Sequence, residues 1–102
     1  MTTYFVEYKD NEALVEASGH ADHDEYGYDI VCASISTACI LSANLIDNLK
    51  LGYNIIDLES KNGYFRLQVK TDNPIVLGII QNLELHLDEL SKDYPKNLKK
   101  KK

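Results

Sequence analysis

Cysteine is scarce in this sequence of 102 residues: there are two, Cys32 and Cys39. Two thiols exclude a disulfide framework, and both are expected to be free in a reducing compartment. No CxxC or HExxH spacing occurs, which removes the commonest zinc patterns. The five glycines are scattered, so no phosphate-cradling loop is present. The first ten residues lack a basic region followed by an apolar stretch. That excludes a signal peptide and leaves a cytoplasmic location as the expectation. No run is expected to be long and apolar enough to cross a bilayer.

Basic residues are also few until the very end. The chain carries 11 basic and 16 acidic residues, net −5. Lys96 and Lys99 to Lys102 hold five of the basic ones, so residues 1–95 have six against all 16 acidic residues, net −10. An acidic body argues against general nucleic-acid binding and favours basic partners. Residues 96–102 are expected to form a solvated, disordered tail. With 44% hydrophobic residues, residues 1–95 suffice for one small domain, which a second subunit would help to cover.

Polar and apolar residues alternate over residues 3–9 and 12–18, predicting two strands about an Asp10-Asn11 turn. Residues 19–28 have no period and read as a loop, where catalytic and binding groups tend to sit. Asp29 is placed as the N-cap of a helix ending near Lys50. Its core stripe is Val31, Ile35, Ala38, Leu41, Leu45 and Leu49, with Gly52 as a left-handed stop. Residues 54–60 and 64–70 predict a second hairpin around Asn62-Gly63. Asn73-Pro74 opens a second helix with Val76, Ile79, Ile80, Leu83, Leu87 and Leu90 on one face. The order β-β-α-β-β-α predicts a two-layer α+β domain, a small sheet packed against two helices.

With Asp29 as N-cap, Cys32 falls in the first helical turn. Unpaired amides and the helix dipole there favour a thiolate and offer donors to an oxyanion. His20, at the end of the second strand, is a candidate base, and His23 competes with it. His86, between Leu85 and Leu87, is assigned to the solvent side, and Cys39 to the core. On residue chemistry alone three readings stay open. Cys32 is a nucleophile, or it is a small buried apolar residue in a binding module, or it joins His20 and His23 around a metal.

The stretch Gly19-His20-Ala21, then Gly27-Tyr28-Asp29-Ile30-Val31-Cys32-Ala33, resembles the signature of the ribosomal-processing cysteine proteases. The resemblance spans the whole length and implies a cysteine endopeptidase domain over residues 1–95, with Cys32 as nucleophile and His20 as general base and acid. It implies no cofactor and no metal, and a homodimer. The substrate it implies is the N-terminal extension of large-subunit ribosomal protein twenty-seven, cut after aromatic residues. The loop with Asp22, Asp24, Glu25, Gly27 and Tyr28 would lie over the substrate, its acidic groups facing basic residues beyond the cut. Gly19 and Gly27 would be its hinges. Ser34 departs from the family, which often has Ala there. The alternative is a dimeric ribosome-assembly or binding module with an inert cysteine.

Overall fold

The computed structural model describes residues 1–19 and 26–101, with side chains in the second stretch from residue 30. Strands β1 (Thr2–Lys9) and β2 (Glu12–Gly19) pair antiparallel from Thr2↔Gly19 to Lys9↔Glu12. Asp10 and Asn11 both take positive φ, 52° and 62°. A two-residue turn of that hand matches the twist of the strands. Helix α1 (Tyr26–Asn48) follows, then one 3₁₀ turn (Gly52–Asn54). Strands β3 (Ile55–Lys61) and β4 (Tyr64–Lys70) form the second hairpin, and helix α2 (Pro74–Asp93) covers the sheet. Asn73 caps α2 as expected, its side chain accepting from the Ile75 amide at 2.9 Å.

The predicted α+β order is present, with a fifth strand added. The sheet runs β3-β4-β2-β1-β5, where β5 (Leu98–Lys100) lies parallel to β1. The expected disordered tail is therefore corrected over residues 98–100. Leu98 is buried in the core, and the Lys100 ammonium donates to Glu84 at 2.9 Å and Asp88 at 3.3 Å. The lysine composition of the tail hid its one apolar anchor.

Alternate residues of the strands face the helices. Tyr4, Ala13, Val15, Ala17, Phe65, Leu67 and Val69 join Val31, Ile35, Cys39, Ile46 and the α2 face in one core. The opposite face is mostly polar, with Phe5 and Leu14 among its charged residues and Arg66 bridging Glu16 and Asp57 at 3.0 Å each.

Three helix expectations are corrected. First, α1 begins at Tyr26, so Asp29 is its fourth residue and not the N-cap. A carboxylate in the first turn is still favoured by the dipole, so a good N-cap residue does not by itself fix the helix start. Second, the buried stripe of α1 is Val31, Ile35, Cys39, Ala43 and Ile46, whereas Leu41, Leu45 and Leu49 are exposed by 62%, 46% and 47%. Third, the left-handed stop is Lys50 (φ 65°), not Gly52. Leu51 N–H reaches Ile46 C=O at 3.0 Å and Lys50 N–H reaches Asp47 C=O at 2.9 Å. That pair of bonds closes the helix as a Schellman motif. The expectation about long apolar runs also changes. Ile30–Asn48, mean hydropathy 1.7, is long and apolar enough to cross a membrane by length and composition alone. Here one face of it is built into the core.

Candidate active site

Cys32 is the seventh residue of α1, one turn further in than expected. In a helix that starts at Tyr26 the unpaired amides end at residue 28, so the amide of Cys32 lies within the helical ladder. The dipole effect fades beyond the first turn. The thiol is nevertheless half-exposed and free. It opens into a cleft of about 350 Å³.

Three pieces of the fold build that cleft. From α1 come Ile35, Ser36 and Ile40, the last two one and two turns beyond Cys32. The ends of β1 and β2 contribute Thr2 and residues 17–19, and the β3–β4 hairpin contributes residues 60–65. Ile40 is 44% exposed, so the cleft carries an uncovered apolar wall. At its rim the Lys61 ammonium pairs with Glu59 at 2.9 Å and sits 5.6 Å from the centre of the Tyr64 ring. The Thr2 hydroxyl is buried and has no hydrogen-bond partner among the described residues.

Cys39 serves as an internal comparison. It is 0% exposed, and burial pushes its thiol up to about 12. At neutral pH it stays protonated and unreactive, as its assignment to the core requires. Helical spacing places the two cysteines two turns apart, yet only Cys32 reaches a surface.

The other sequence-predicted groups divide in two. His20, Asp22, His23, Asp24 and Glu25 lie outside the described residues. Gly27, Tyr28 and Asp29 stand in the first turn of α1, so the segment read as a loop is already helical from Tyr26. Among the described residues no three His, Cys, Asp or Glu groups cluster as metal ligands. His86 is exposed, as expected, and borders a larger groove of about 840 Å³ between α1 and α2. That groove does not include Cys32.

The sequence reading missed the hairpin wall. Asn62-Gly63 was legible as a turn, but nothing in the local pattern says that β4 lies beside β2. Only that pairing brings residues 60–65 to Cys32. The recurrence of Ser36 and Ile40 at four-residue steps from Cys32 was a signal in the sequence for the helical wall.

Residues 1–99 match the family described as Cysteine protease Prp. The ribosomal processing cysteine protease Prp of Staphylococcus aureus strain Mu50 is 35% identical over 82 residues, covering 79% of this chain and 77% of that protein. A crystal structure of the S. aureus protease Prp with a substrate peptide superposes with a TM-score of 0.84 at 29% identity, covering 99% and 98% of the two chains. Another, with a covalently linked product peptide, gives 0.77 at 32% identity, covering 99% and 100%.

Proposed function

The chain belongs to the cysteine protease Prp family, and on that premise we propose that it is the endopeptidase that removes the N-terminal extension of large-subunit ribosomal protein twenty-seven. The observation that carries this reading is the contrast between the two thiols. Cys32 opens on a cleft with an apolar wall, whereas Cys39 is sealed in the core.

The substrate segment lies in the cleft with apolar side chains against Ile35 and Ile40. His20 takes the proton of the Cys32 thiol, and the sulfur attacks the scissile carbonyl. Collapse of the tetrahedral intermediate breaks the C–N bond. His20 gives its proton to the departing amine. Water then adds to the thioester, the C–S bond breaks, the Cys32 thiol is restored, and the removed N-terminal segment leaves with a free carboxylate. The covalently linked product peptide in the S. aureus enzyme supports a covalent step of this kind. The amide of Cys32 is engaged in α1, so another donor at the cleft serves the oxyanion. Asp22, Asp24 and Glu25 attract basic residues beyond the cut, and the reaction takes place in the cytoplasm, where both thiols stay reduced.

The same reading includes a homodimer. Leu41, Leu45 and Leu49 leave an apolar strip on α1, and Ile75 and Leu85 are exposed on α2. We place the dimer contact on this exposed apolar surface, where a second copy would cover it.

The test is to incubate the extended ribosomal protein with wild type, Cys32→Ala and His20→Ala, and follow its mass. One early cut that needs both residues supports the proposal. Binding without a cut by the wild type would instead make the chain a binding module.

A further inference from the structure

The two edges of the sheet are built differently. β5 closes one edge with three residues, two of them lysines, and Lys100 is tied to Glu84 and Asp88 on α2. A short edge that carries lysine discourages a further strand. β3 closes the other edge with seven residues and pairs on one side only among the described residues. Its register with β4 is regular from Asp57↔Gln68 to Lys61↔Tyr64, a stretch of roughly 16 Å. Every residue of β3 after Ile55 is exposed, Leu58 by 48%.

The two faces of β3 also differ. Residues opposite each other in a ladder share a face. Leu58 and Ser60 stand opposite Leu67 and Phe65, which belong to the core, so they lie on the helix side. Asp57, Glu59 and Lys61 lie on the other side, where Arg66 pairs with Asp57 and Lys61 with Glu59. The helix side of this edge is therefore uncharged at Leu58 and Ser60, and it runs into the active-site cleft. Ser60 and Lys61, the last two residues of β3, line that cleft together with Cys32 and Ile40.

We infer that β3 is a substrate-docking edge for the proposed peptidase: an extended stretch of the substrate leaves the Cys32 cleft and adds to β3 as a sixth strand of the sheet, with an apolar side chain against Leu58. The inference rests on the reading of Cys32 as the nucleophile. A helical substrate would keep the scissile carbonyl in its own hydrogen bonds, whereas an extended one presents it. Beside such a chain the open edge supplies main-chain bonds for affinity, and Leu58 supplies side-chain selection. Leu58 lies one side-chain repeat beyond Ser60, roughly 7 Å from the cleft wall.

The test uses the full chain and a peptide of the extended ribosomal protein that spans the cut. Cys32→Ala holds the peptide uncut, and hydrogen exchange is followed with and without it. Slower exchange at alternate amides of residues 57–61, with the β5 amides unchanged, supports the added strand, since every second N–H of an edge points outward. Unchanged exchange over 57–61, at peptide well above the wild-type KM, overturns it. Cleavage by Leu58→Lys gives the second readout, because a lysine on an edge opposes pairing. KM should rise roughly tenfold, with kcat within about twofold because only binding is lost. A wild-type KM overturns the inference. So does a Leu58→Lys protein that is monomeric in light scattering where the wild type is dimeric, which would make β3 the edge between subunits. If Leu58→Lys fails to fold, the exchange result alone decides. Failure of the wild type to cut the peptide removes the peptidase reading and this inference with it, whereas cutting that needs Cys32 and leaves β3 untouched removes this inference alone.

Discussion

Cys32 and Cys39 share one helix and differ in what surrounds the sulfur. A thiol reagent at neutral pH is expected to modify Cys32 and leave Cys39 untouched in the folded protein, checked by peptide mapping. Cys39→Ser should keep turnover but cost about 1–3 kcal/mol of stability, because it buries a hydroxyl with no partner. Thermal melts and peptide cleavage measured together check both halves of that statement. Membership of the family was legible from the Gly19-His20-Ala21 and Asp29-Ile30-Val31-Cys32-Ala33 pair, and the role proposed for Cys32 rests on the same residues. The position of Cys32 in the helix was not legible. Asp29 is a good N-cap residue, but a carboxylate is equally welcome in the first turn, so the local signal did not separate the two placements.

At the scale of elements, β5 is the least expected piece and the most informative one. Leu98 is buried beside β1, and Lys100 holds Glu84 and Asp88 on α2. Leu98→Ala should destabilise by about 2–5 kcal/mol, read from denaturant midpoints. Titration of this cluster gives two signed effects. Burial opposes the Asp88 charge, but the bonds from Tyr4 and Lys100 outweigh it and hold its carboxyl below the usual range. Its folded pKa is depressed, so its contribution is present above the ordinary carboxylate pKa and is lost as pH falls through the folded value. Burial, then the bond to Asp88, pushes the Tyr4 hydroxyl up to about 12. Its contribution is complete below its ordinary pKa near 10 and is lost as pH rises through 12. Tyr4→Phe should therefore flatten the fall in melting temperature between those two pH values. The turn at Lys50 gives a separate test. Lys50→Gly should stabilise by about 1 kcal/mol, since it relieves a left-handed residue. Local periodicity specified the β4 and α2 segments well. It failed for Leu41, Leu45 and Leu49, because a wide apolar helix leaves open which side meets the sheet.

For the whole molecule, the pairing of β2 with β4 does what no local motif announces. It carries the second hairpin to the end of β2 and builds the cleft from three segments distant in sequence. The uncovered strip on α1 belongs to this scale as well. Leu45→Glu is expected to convert a dimer to monomers in light scattering while leaving the melt of the monomer close to wild type. A wild-type protein that is already monomeric at high concentration would contradict the dimer. The most direct test of the central claim is the intact mass of the enzyme after brief mixing with extended ribosomal protein and acid quenching. The account predicts an adduct equal to the removed N-terminal segment in thioester linkage, mapped to Cys32 and absent from Cys32→Ala. Cleavage at the wild-type rate by Cys32→Ala would contradict it.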